Sequence, residues 1–346
     1  MICNKTYLST AKPGAPDDWT RRESAALDGL TSGVKVSKGA FTLIELLVVI
    51  AIIAILAGVL LPVLHQAQIR GETAACIDHQ KQLGTAFVMY ANDNSDYCVG
   101  NAWTNEQDWV IYKGKYTSRS GITPPQNWIS GWMDPSGASP NGDISGVIGM
   151  TPESDNTNQD LLIDPGYASL GDYTKNPLLF ICPACEVRVD SYPGGPKNNL
   201  EIRSVSMNCW VGYVCTSSGQ GTTSTTTYKQ FNKITSMTGL GPADLFVFME
   251  ERGESIDDGS FATEMNQATT IANYPSDNHN NAATVAFADG HVEVHRWFGE
   301  STQQGWSCTS PQNPQPVAKW NFGMLSSGAN PSDLDWLQSH ATTLAQ

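Results

Sequence analysis

At 346 residues, with 16% charged side chains, 31 glycines and 19 prolines, the chain has room for one or two domains and a sizeable core, with much of its length in loops and turns. Its formal net charge is −14; residues 1–40 carry +2 and residues 41–346 carry −16. So acidic a body excludes nucleic acid as a partner, because phosphate binding needs clustered Lys and Arg.

Residues 1–40 are rich in Pro, Gly, Ser and Thr and are expected to form a disordered leader. Then comes GAFTLIELLVVIAIIAILAGVLLPVL, in which Leu46–Leu64 is a run of 19 residues without a charged or polar side chain. That length approaches the roughly 20 residues needed to cross about 30 Å of hydrocarbon. Basic residues ahead of the run favour a cytoplasmic N-terminus and an exported acidic body. A cleaved secretory signal fits poorly: the run exceeds the roughly 7–15 residues of a signal core, and no small-x-small site follows it. A plain anchor leaves Glu45 unexplained, since an unpaired carboxylate in a span costs at least a few kcal/mol.

KGAFTLIELLVVIAIIAILAGVLLP resembles the prepilin-type cleavage and methylation segment of type IV pilins and type II secretion pseudopilins. The resemblance implies a leader cut by prepilin peptidase before Phe41, N-methylation of the new amine, and pairing of Glu45 with the amine of a neighbouring subunit. It implies that Pro62 loosens the helix within an assembly, as a proline removes one backbone donor and permits a kink. Gly usually precedes the cut in that family, whereas here Ala40 separates Gly39 from Phe41. Cutting after Ala40 preserves the Phe41–Glu45 spacing; cutting after Gly39 is the alternative.

Past the apolar run, Ala67–Ala91 lacks proline, and Cys76, Leu83, Phe87 and Tyr90 fall on one helical face. The turn formers Asn92–Asp96 end the pattern, predicting one helix over 41–91, roughly 77 Å long at 1.5 Å per residue. The stretch CIDHQKQLGTAFVMYANDNSDY is similar to pilin-like proteins of Planctomycetes. Residues 98–175 read as loops carrying Trp103, Trp109, Trp128 and Trp132, either core anchors or a glycan-binding platform. Asp134, Asp143, Asp155, Asp160 and Asp164 supply oxygen ligands that suit calcium, but without EF-hand spacing.

Strands are expected in LLFI (178–181), in the segment from Ile202, and in DLFVFME (244–250). Cys182, Cys185, Cys209 and Cys215 have a spacing compatible with a zinc site, but export favours disulfides or buried structural thiols. Cutting before Phe41 leaves seven cysteines (76, 98, 182, 185, 209, 215 and 308), so at least one is unpaired within a monomer. Cys76, packed as a small hydrophobe on the helical stripe, is a candidate.

In NHNNAATVAFADGHVEVHRW, Asp289-Gly290 predicts a hairpin with a two-residue turn, setting Phe287 opposite Val292 and Val285 opposite Val294. His279 with Asp289 and Gly290 forms an H-x9-D-G spacing that resembles the C-terminal motif of prepilin-like proteins of Planctomycetes and Verrucomicrobia. His279, Asp289, His291, Glu293 and His295 could gather a divalent metal, calcium or zinc; a solvated strand face has the same pattern.

The expectation is a pilin-like α+β protein, one long N-terminal helix packed on an antiparallel sheet with long loops. Its parts are a leader (1–40), a transmembrane half-helix (41–65), a soluble half-helix (66–97) and an exported β-rich body (98–346) with the motif hairpin at 279–297. The expected role is structural and non-enzymatic. The chain would be a single-pass subunit of the inner membrane, its body periplasmic or extracellular, assembling with copies of itself and with other pilins or pseudopilins. A membrane-tethered module binding glycan or metal is the alternative, and a metal-dependent enzyme a more distant one.

Overall fold

The computed structural model describes residues 42–101, 109–112, 115–118, 127–131, 133, 155–185, 188–189, 199–212, 228–253, 255–256, 259–263, 265, 273–298 and 331–344. Helix α1 spans Leu43–Asp93 and continues through Pro62. Thr42 and Glu45 start it as a capping box: the Glu45 carboxylate accepts from the Thr42 N–H (2.8 Å), and the Thr42 hydroxyl accepts from the Glu45 N–H (3.3 Å). At the other end, Ser95 and Asp96 turn left-handed and the Asp96 N–H returns to the Ala91 carbonyl at 2.8 Å, closing the helix as the turn-former cluster foretells.

The chain divides into two compact units at Leu61/Pro62. In the first, the large apolar side chains of α1 are exposed along the described length. Helix α1 is long and apolar enough to cross a membrane.

The second unit is built on a sheet. Two small hairpins stand apart from it: β1 (Trp109–Tyr112) with β2 (Lys115–Ser118), and β3 (Arg188–Val189) with β4 (Asn199–Leu200). The main sheet comprises β5 (Val205–Asn208), β6 (Phe246–Glu250), β7 (Ser260–Phe261), β8 (Ala282–Phe287) and β9 (Val292–Arg296), in the order β7-β5-β6-β8-β9. Short helices α2 (Asp160–Ile163) and α3 (Gly171–Thr174) precede it, and α4 (Pro331–Ala341) follows it.

Both faces of this sheet are covered. Leu83 and Phe87 of α1 pack with Met207, Phe248 and Ala286 on one face, where Phe87 meets Phe248 edge-on. On the other, Leu334 and Leu337 of α4 pack with Phe246, Met249, Val285 and Phe287. Buried Asn208 ties the second face together, donating to the carbonyls of Phe246 and Ala341, both at 2.9 Å. Strand β8 is buried at all six positions, which its small and β-branched sequence AATVAF allows.

Several expectations change. The sheet is mixed: β7 pairs parallel to β5, while the other pairings are antiparallel. LLFI does not form a strand; Pro177–Phe180 is a 3-10 turn, started by Pro177 and by the Asn176 side chain, which accepts from the Leu178 N–H at 3.1 Å. The β8–β9 register is one residue away from the expected one, with Ala286 opposite Val292 and Val285 opposite Glu293. The turn is the cause. Phe287 pairs with His291, the Gly290 N–H donates to the Phe287 carbonyl (2.9 Å), and Gly290 has φ +88°, so the loop has three residues with Gly290 in the left-handed position. One residue of slip exchanges faces. Phe287 and Val285 therefore face α4, while Val292 packs on the α1 side.

Candidate functional site

Of the methylation-segment residues, Gly39, Ala40 and Phe41 lie outside the described ones. Glu45 is exposed, in the first turn of α1, with its carboxylate held by the Thr42 N–H and hydroxyl, both at 2.8 Å. The signal for this cap, T-x-x-E before an apolar run, is present in the sequence.

The hairpin residues do not converge. His291 donates to Asp289 across 2.6 Å and stacks on Phe287. His295 stacks on Trp336 and meets Trp297 edge-on, with Glu293 3.9 Å away. Burial pushes the His295 imidazole down to about 4; nearby His340 acts in the same direction and Asp333 opposes it. His279 is elsewhere, buried at the opposite end of β8. The motif spacing thus matches the length of one strand. His279 precedes β8 and Asp289-Gly290 follows it, and Gly290 lies against α1 at Gly84, where an added Cβ would sit 3.7 Å from the Gly290 Cα.

The loop residues have their own places. Trp128 is in the core, stacked on Phe180 with its Nε1–H donating to the Gly259 carbonyl at 3.0 Å, so it offers no glycan platform. Asp155 is buried. Trp103, Trp132, Asp134 and Asp143 lie outside the described residues, as do Cys215 and Cys308.

The described cysteines, Cys76, Cys98, Cys182, Cys185 and Cys209, are all buried. Cys209 joins the α4-side core, away from Cys182 and Cys185, which pack against Cys76 of α1. There Cys76, Cys182, Glu250 and His279 bring four ligand atoms within 4.8 Å of one another, all four residues buried. Cys182 sits in the tight CPAC turn, where its N–H donates to Ser204 Oγ (2.7 Å) and its sulfur accepts from the Ala184 N–H (3.3 Å). Glu250 ends β6 and accepts from the Thr284 N–H of β8 at 2.8 Å. Asn280 and Asn281, with φ of 60° and 62°, make the left-handed turn that presents His279, a conformation Asn tolerates.

His279 Nε2 lies 3.1 Å from Glu250 Oε2 and 3.5 Å from Cys182 Sγ. Nδ1 is 3.0 Å from Thr73 Oγ1, and the Thr73 hydroxyl donates to the Ile69 carbonyl at 2.7 Å. A hydroxyl has one proton, so Thr73 accepts from Nδ1–H and leaves Nε2 directed at Cys182 and Glu250. Burial opposes a charge on His279, but its bonds to Cys182 and Glu250, with the Glu250 charge, raise it to about 10. Burial likewise works against the Glu250 charge, and the His279 partner outweighs it, holding the carboxyl below its ordinary value. The Cys182 bond favours the Cys76 thiolate, but burial and the Glu250 charge prevail and push that thiol up to about 11; burial raises Cys182 as well. The cluster is therefore two thiols beside an imidazolium–carboxylate pair.

Sequence reasoning singled out Cys182 and His279 but gave each other partners, and it missed Cys76, Glu250 and Thr73 as members of one site. The available signal was Glu250, a carboxylate closing an otherwise apolar, fully buried strand.

Among comparisons with known proteins, residues 36–61 match the family model of the prokaryotic N-terminal methylation motif. No curated protein and no solved structure matches the chain. In that motif and the long apolar helix it opens, the chain resembles type IV pilins, and its body is α+β, built on a mixed five-stranded sheet.

Proposed function

We propose that the protein is a structural subunit of a pilus-like or type II secretion-like assembly, made as a prepilin and cut by prepilin peptidase before Phe41. The observation that carries this reading is the methylation motif at residues 36–61 running into α1. The acidic body favours export from the inner membrane, with the basic leader left in the cytoplasm. Neighbouring subunits and other pilins would then meet through the apolar half of α1, and Glu45 would face the methylated amine of the next copy. The buried placement of Trp128 weighs against the glycan-binding alternative. N-terminal sequencing and intact mass of protein extracted from membranes provide the test. The expected result is a chain that begins at N-methylated Phe41; a chain beginning at Met1 overturns the prepilin reading.

A further inference from the structure

We propose that Cys76, Cys182, Glu250 and His279 form a closed zinc site that fastens the lower half of α1 to the sheet. Two thiolates, an imidazole and a carboxylate are a donor set suited to Zn²⁺, and four protein ligands leave no open position, which marks a structural site. The spacing fits. Tetrahedral zinc with bonds of about 2.3 Å to sulfur and about 2.0–2.1 Å to nitrogen or oxygen separates its ligands by about 3.3–3.8 Å. Here Cys182 Sγ and His279 Nε2 are 3.5 Å apart, His279 Nε2 and Glu250 Oε2 are 3.1 Å apart, and all four ligand atoms fall within 4.8 Å.

The surroundings are those of a metal site. Metal-bound His residues commonly donate their other N–H to a fixed acceptor, and Thr73 is placed to accept from His279 Nδ1 at 3.0 Å. The Ala184 N–H points at Cys182 Sγ (3.3 Å) and the Thr284 N–H at Glu250 Oε2 (2.8 Å), so the sulfur and the carboxylate each have a backbone donor. Binding displaces the protons of both thiols and the Nε2 proton of the imidazolium, and Nδ1 keeps its own. The ion joins α1, the CPAC turn, β6 and the turn before β8, four segments otherwise held there by packing and hydrogen bonds. It also keeps Cys76 and Cys182 from oxidising to a disulfide. Such a site serves the body of the protein whether or not the chain assembles.

The test uses the full chain, purified in detergent without chelators. Elemental analysis should find about one zinc per chain, and Cys76 and Cys182 should resist alkylation until a chelator removes the metal. Cobalt added to the apoprotein should give tetrahedral d–d absorption with a sulfur-to-metal band, a signature that packing alone does not produce. Cys76→Ser and His279→Ala should each weaken zinc retention at least about tenfold in chelator competition, and Thr73→Val, which leaves all four ligands in place, by about tenfold. A Cys76–Cys182 disulfide in the purified chain overturns the proposal. So do free thiols that take up neither zinc nor cobalt, or full zinc retention in Cys76→Ser or His279→Ala.

Discussion

At the residue scale, the Glu45 carboxylate closes the capping box with Thr42, and the proposed assembly gives its charge a second use, facing a neighbour's amine. Gln at that position serves a capping box as Glu does, whereas Val does not. Glu45→Gln and Glu45→Val should therefore both lose assembly, read as sheared filament or crosslinked oligomers, if the charge is what a neighbour uses. Glu45→Gln assembling like wild type would make Glu45 a cap and nothing more. His295 makes a pH prediction. Held neutral between Trp297 and Trp336, it sits at about 4 against an ordinary 6.5, so below pH 6.5 the unfolded chain takes up a proton that the folded one refuses. The stability tied to that difference is complete above pH 6.5, is lost as pH falls through about 4, and amounts to on the order of 2–3 kcal/mol. His295→Phe, which keeps an aromatic ring in place, should flatten the dependence of melting temperature on pH across this window. An unchanged pH profile in the variant would show that another group controls it.

At the scale of elements, α1 presents Cys76, Gln80, Leu83, Phe87 and Ala91 as one buried stripe. Gly84 narrows the stripe where the helix meets the Asp289-Gly290 turn. Gln80 does not suit its place. It is 1% exposed, and its amide has no hydrogen-bond partner among the described residues. A buried polar group left unsatisfied costs about 1–3 kcal/mol, so Gln80→Leu, of similar size and good helix propensity, should stabilise the protein by about 1–2 kcal/mol. Denaturant unfolding in detergent measures this, and a destabilised variant would mean that the amide serves a contact outside the described residues. The stripe was legible from residue spacing because a helix repeats locally. The β8–β9 register was not: Asp-Gly is compatible with more than one loop length, and the Phe287–His291 pairing selects the longer one.

At the scale of the whole molecule, the methylation motif and the apolar run suit a membrane-anchored protein. The body is a sheet packed on both faces, by α1 on one and α4 on the other. The sequence by itself determined what depends on neighbours along the chain. An unbroken apolar run, a Thr-x-x-Glu start and a cluster of turn formers set α1 close to its observed limits of Leu43 and Asp93. An apolar DLFVFME made β6. Tertiary structure decided what depends on neighbours in space. It turned the hairpin's Phe287 toward α4, placed Trp128 in the core, and separated Cys209 from the CPAC turn. It also assembled the one described cluster of metal-type ligands from α1, the CPAC turn, β6 and the turn before β8. No spacing rule reaches such a set, because its four ligands come from four segments that only packing brings within a few ångströms.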